Sequence, residues 1–91
     1  MNGRFAISTA GHDAGKIYII VGEKEGRFLV ADGIKYTIAN PKMKNAKHLE
    51  IPKQEDVTKL ATMISQKSRG CDEAIRQTLH HLLKDNLRYV N

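Results

Sequence analysis

Three groups of residues carry side chains that could do chemistry: His12-Asp13 inside Gly11-His-Asp-Ala-Gly15-Lys16, the His80-His81 pair with Cys71 upstream, and the lysines at 35, 42, 44, 47 and 53. His12 beside Asp13 has the makings of a general base and its orienting carboxylate. No Ser or Cys nucleophile stands in a recognisable motif with them, so no catalytic residue is assigned and an enzyme is not expected. His80 and His81 are adjacent, and neighbours on a helix point about 100° apart, which gives them no common face for a metal. Cys71 is the only cysteine. That excludes an intrachain disulfide and a four-thiolate zinc site, agrees with a reducing compartment, and leaves Cys71 as a small residue near a helix start.

The lysines point to a polyanion. Residues 1–53 hold nine basic and five acidic side chains, residues 54–91 six and five. Lys35, Lys42, Lys44, Lys47 and Lys53 face only Glu50 over nineteen positions, which concentrates positive field on one segment. The plain alternative is a solvated surface that keeps the chain soluble. Arg4, Lys16, Lys42, Lys44 and Lys47 are suited to neutralising phosphates, a sequence-blind contribution that weakens steeply with salt. Tyr36 and His48 offer flat rings for stacking on unpaired bases, although Tyr36 also fits a half-buried strand position. Asn40-Pro41 reads as a rigid turn that pushes Lys42–Lys47 outward as an exposed arm.

The elements that must position these residues change character near Pro52. Before it the pattern is that of strands: Arg4–Ser8 alternates, Ile17–Val21 is β-branched and aromatic, and Phe28–Ala31 follows the turn signal Glu25-Gly26. Asp32-Gly33 predicts a tight hairpin with Lys35–Ile38 as the returning strand, and His48–Ile51 predicts a fifth. Five short strands are too few for a broad sandwich but can close into a small barrel that removes its edges. After Pro52 the period is helical. Val57, Leu60, Ala61 and Ile64 share one face over 54–67, and Ile75, Leu79, Leu82 and Leu83 share another over 72–85. Gly70 suits the end of the first helix, while Asp72-Glu73 suits the start of the second and Asp72 is spaced to pair with Arg76. Met63 lies off the main apolar stripe.

The division expected is therefore a barrel over 1–53 and a two-helix extension over 54–91. Core material is Ile, Val, Leu, Ala and Met, because aromatic residues make up only 5% of the chain and Trp is missing. The longest apolar stretch, Ile17–Val21, is far below the roughly 20 residues that span a bilayer. The N-terminal MNGRFAIST lacks the apolar centre of a signal peptide, so a cytoplasmic location is expected. A close-packed barrel of this size leaves no room for a cofactor, and none is expected.

The loop from Gly11 to Lys16 sits between two strands and is bounded by glycines, a geometry that can lie against a phosphate. It is not a Walker loop, since the Gly-Lys-Ser/Thr spacing is wrong and no helix follows. The features carrying a family likeness are Gly3-Arg4, the following apolar-x-apolar strand, Gly11-His-Asp-Ala-Gly15-Lys16, the Ile17–Val21 strand, Leu29-Val-Ala-Asp-Gly33, and the basic run ending Lys47-His-Leu49. In that order they resemble the KOW domain. The likeness is greatest to the L-fourteen-e branch of archaeal and eukaryotic large-subunit ribosomal proteins and to short bacterial KOW proteins, and it covers about Gly3–Ile51. The resemblance implies a five-stranded SH3-like barrel in which the Gly11–Lys16 loop and nearby basic side chains contact RNA backbone, so the partner expected is RNA, with ribosomal RNA or the ribosome foremost. The candidate contacts are Arg4, Gly11, His12, Asp13, Gly15, Lys16, Lys35, Tyr36, Lys42, Lys44, Lys47 and His48. The chain is expected to be a monomer. The competing class is a protein-interaction module that uses the barrel or the helices, since fold does not set function.

Overall fold

The run Ile17-Tyr-Ile-Ile-Val21 opens the longest strand of the chain, and the fold is arranged around its two apolar faces. The computed structural model describes residues 1–54 and 56–85. Five strands form one antiparallel sheet: β1 (Phe5–Ser8), β2 (Ile17–Lys24), β3 (Arg27–Ala31), β4 (Lys42–Asn45) and β5 (Leu49–Glu50), in the spatial order β4-β3-β2-β1-β5. Helices α1 (Thr58–Gln66) and α2 (Cys71–Asp85) follow. The class expected from the residues, mainly β with two C-terminal helices, is the one observed.

Successive side chains on a strand point to opposite faces, so Ile17 and Ile19 look one way and Tyr18 and Ile20 the other. On the first face Ile19 and Ala31 are buried with Leu60, Ile64, Cys71, Ile75 and Leu79 of the helices. On the second, Tyr18 and Ile20 are buried with Ala6, Phe28 and Val30, and half-buried Tyr36, Leu49 and Ile51 close around them. Burial on both sides is why β2 reads as a continuous apolar run and not as an alternation. The β2–β3 register shifts between Ile20 and Gly22, a bulge that bends the strand and increases its twist. Glu25 and Gly26 both have positive φ, at 54° and 76°, and close the β2–β3 hairpin where the sequence placed the turn.

Asp32-Gly33 does not make the expected hairpin, and the fourth strand is Lys42–Asn45, not Lys35–Ile38. The Asp32 carboxylate accepts from the backbone N–H groups of Ile34 (2.9 Å) and Tyr36 (3.0 Å), while the Tyr36 carbonyl accepts from those of Asp32 and Gly33. A side chain thereby takes the donors that a strand ladder would have used. Gly33 has φ 78°, and a Cβ there would overlap the Asp72 carbonyl and lie 3.0 Å from the Arg76 nitrogen, because α2 seats its first turn on this residue. The Ile38 N–H completes the contact by donating to Asp72 Oδ1 at 2.8 Å. Asp72 is thus committed to the sheet side, and Arg76 instead approaches Glu73 at 3.6 Å.

Smaller departures have similar causes. The fifth strand is only Leu49–Glu50, since His48 belongs to a 3-10 turn over Ala46–His48. Helix α1 starts at Thr58, not at residue 54, because the Gln54 amide is spent on β1: its Oε1 accepts from Phe5 N–H (2.7 Å) and its Nε2 donates to the Phe5 and Pro52 carbonyls. Helix α1 ends on Lys67 in the left-handed region. Gly70 lies beyond that stop and opens α2, its carbonyl accepting from Ala74 N–H. Met63 packs against the helix–sheet cluster. Among the described residues, no helix is long and apolar enough to cross a membrane.

Candidate nucleic-acid interface

Strand register decides where the lysines go. Lys42 lies opposite Val30 and Lys44 opposite Phe28, and cross-strand partners share a face, so both lysines turn toward the cluster that buries Val30 and Phe28. Met43 between them faces outward. The segment 42–47 is therefore not an exposed arm: Lys42–Asn45 is ladder, and the Lys44 side chain is only 10% exposed.

What receives the two ammonium groups is Asp13. Its Oδ1 accepts from Lys44 Nζ at 2.7 Å and from the Ser8 hydroxyl at 2.9 Å, and its Oδ2 from the Tyr18 hydroxyl at 2.7 Å and Lys42 Nζ at 3.1 Å. Lys44 Nζ also donates to the Ala10 carbonyl at 3.0 Å. Among the described residues no buried side-chain nitrogen or oxygen is left without a partner. Burial pushes the Asp13 carboxyl up, but the donors Lys44, Tyr18, Lys42 and Ser8 outweigh it and hold the group far below the usual carboxylate range. Burial and the Asp13 carboxylate together push the Tyr18 phenol above its ordinary value. With both oxygens occupied, Asp13 orients nothing for His12, which stands exposed on the loop, and the suggested base–carboxylate pair does not form.

The same cluster shapes the loop. Ser8 and Tyr18 hold Asp13 beneath the turn, the Gly15 N–H donates to the Ser8 carbonyl at 2.7 Å, and the Lys16 N–H donates to that of Asp13 at 2.9 Å. Two neighbouring segments are tied to it. Lys16 Nζ meets Asp32 Oδ2 at 3.0 Å, anchoring the turn that carries Lys35 and Tyr36, and Thr9 N–H donates to the His48 carbonyl at 2.9 Å, anchoring the turn that carries Lys47. Burial raises the Asp32 carboxyl, and the N–H groups of Tyr36 and Ile34 with Lys16 more than reverse it, leaving the group depressed. Tyr36 packs edge-on to Tyr18 with ring centroids 6.4 Å apart, and Lys35 and Lys42 place Nζ 5.5 and 5.3 Å from its centroid. It is a half-buried ring clasped by two cations, not a free platform.

The segments carrying eleven of the twelve residues singled out from the sequence are thus tied into one connected region, the candidate face: Gly11, His12, Asp13, Gly15, Lys16, Lys35, Tyr36, Lys42, Lys44, Lys47 and His48. Their parts differ. Lys16, Lys35, Lys47, His12 and His48 are exposed, whereas Asp13, Lys42 and Lys44 form the support beneath them. Arg4 precedes the far end of β1, four positions from Ser8 at a rise of ~3.3 Å per residue, and does not join the face. Sequence reasoning missed Ser8, Tyr18 and Asp32. The available signals were a hydroxyl on the same side of β1 as buried Ala6 and the single phenol in an otherwise aliphatic run. No group of three or more metal-ligating side chains converges among the described residues. No protein-family model matches the chain, and no curated protein sequence matches it.

Proposed function

We propose that the protein binds structured RNA, with ribosomal RNA the leading partner, through the face made by Gly11–Lys16, Lys35-Tyr36 and Lys47-His48. The observation that carries this reading is the division of labour around Asp13: one carboxylate takes up two inward-facing lysines and makes the loop rigid, while Lys16, Lys35 and Lys47 stay exposed around it. Four lysines (16, 35, 42, 44) stand against two aspartates (13, 32), a surplus of +2 before Lys47 is added. Preorganised cations of this kind suit phosphate oxygens. The sheet order β4-β3-β2-β1-β5, with a 3-10 turn joining β4 to β5 in the chain, supports reading the sheet as an SH3-like barrel of the KOW type. In this reading the protein is a monomeric, cytoplasmic, translation-associated RNA binder that needs no cofactor and catalyses no reaction.

The test is equilibrium binding to ribosomal RNA and to an unrelated structured RNA across a salt series. Lys42 and Lys44 are unsuitable for substitution because they hold the fold, so the informative variant is Lys35→Gln/Lys47→Gln. It should bind more weakly and flatten the slope of log K against log salt by about 2, one for each phosphate contact removed. The competing reading, a protein-interaction module, gains ground if neither RNA binds at low salt. Loss of RNA binding on helix-surface changes that leave the fold intact, with none from the lysine pair, would overturn the assigned face.

A further inference from the structure

We propose, resting on the RNA-binding reading above, that the Ile34–Tyr36 turn selects RNA carrying an unpaired or bulged nucleotide, with Ile34 as an apolar wedge against the open base and Lys35 as its phosphate anchor. Ile34 is 72% exposed, the most exposed large apolar side chain among the described residues. Its backbone is firmly held. Four hydrogen bonds close the turn, two from the N–H groups of Ile34 and Tyr36 to the Asp32 carboxylate and two from those of Asp32 and Gly33 to the Tyr36 carbonyl. Gly33 is pressed against the first turn of α2, and the second Asp32 oxygen is held by Lys16 at 3.0 Å.

A β-branched side chain is therefore displayed in water by a rigid turn, with the exposed Lys35 ammonium adjacent and Lys16 at the base. Covering apolar surface is favourable, and a turn already ordered loses little entropy on docking. A continuous A-form duplex offers such a side chain mainly sugar and phosphate, because its deep groove cannot be entered. An unpaired nucleotide offers the flat apolar face of a base and a step that can be wedged open. The flanking ammonium groups match the phosphates on either side of that step.

The experiment uses two blunt RNA duplexes identical except for one unpaired nucleotide in one strand, titrated with the 91-residue chain, Ile34→Ala and Lys35→Gln. The wild type should prefer the bulged duplex by about tenfold, equivalent to 1.4 kcal/mol. Ile34→Ala should abolish that preference without altering the salt slope, and Lys35→Gln should weaken binding to both duplexes and reduce the slope by about 1. Unchanged unfolding midpoints are expected for both variants, since both side chains are exposed. Equal binding of the two duplexes by the wild type, or a preference that survives Ile34→Ala, would overturn the wedge while leaving RNA binding intact. Binding to neither duplex nor to ribosomal RNA overturns both readings together.

Discussion

Asp13 is the residue on which the candidate face depends. Replacing it with Asn leaves Lys42 and Lys44 facing one another without a counter-charge, and breaking a largely buried ionic cluster in this way costs about 3 kcal/mol or more. The effect of pH has a definite sign. The Asp13 carboxyl is depressed in the folded protein, so its contribution is complete above the unfolded value near 3.9 and drains away as pH falls from about 5 into strong acid. Asp32 is depressed too and acts in the same direction. The urea midpoint of the wild type should therefore fall between pH 5 and 3, while Asp13→Asn starts lower at pH 7 and changes less over the same interval. Equal slopes for the two proteins would mean that Asp13 is not the titrating group. Tyr18 reports at the other extreme: its raised value means stability is full below about pH 10, the ordinary phenol value, and is lost above it. Tyr18→Phe should flatten that alkaline decline.

At the scale of elements, the contact between the 32–36 turn and α2 carries a sharp prediction about two glycines. Gly15 and Gly33 both have positive φ, at 90° and 78°. A Cβ on Gly15 would have nothing within 4 Å, whereas one on Gly33 would collide with the α2 backbone. Gly15→Ala should cost only the left-handed penalty of about 1–2 kcal/mol. Gly33→Ala should cost about 3 kcal/mol, the same penalty plus the displacement of a packed helix. Chemical denaturation of the two variants separates the cases, and equal losses would show that α2 is not seated on Gly33. This element also shows where reading residues succeeds and fails. Glu25-Gly26 was legible because a two-residue hairpin is specified by its own φ angles. Asp32-Gly33 carries as strong a local signal, but the Asp32 carboxylate and the approaching helix claimed the same groups for another structure.

For the molecule as a whole, the helices complete the sheet. Ile19 and Ala31 are buried only because Leu60, Ile64, Ile75 and Leu79 cover them, and Gln54 pairs with the β1 backbone at Phe5. A fragment of residues 1–53 would expose that face, and with so small a core it should not fold by itself. Circular dichroism and dye binding of the fragment are expected to report a poorly packed state. A cooperative thermal transition would instead make the sheet independent, as the division at residue 53 anticipates.

The sequence by itself determined the strands-then-helices order of elements, the apolar strand at Ile17–Val21, the turn at Glu25-Gly26 and the helical period after Pro52. These follow from side-chain type and local period, which act over a few positions. Only the tertiary structure decided what each charge does. Lys42 and Lys44 stand 29 and 31 positions from Asp13 in the chain, and whether they reach it or reach solvent depends on the β3–β4 register and on which way the sheet bends. A shift of one residue in that register would turn both lysines outward, the arm anticipated from the Asn40-Pro41 turn, and leave Asp13 without its counter-charges.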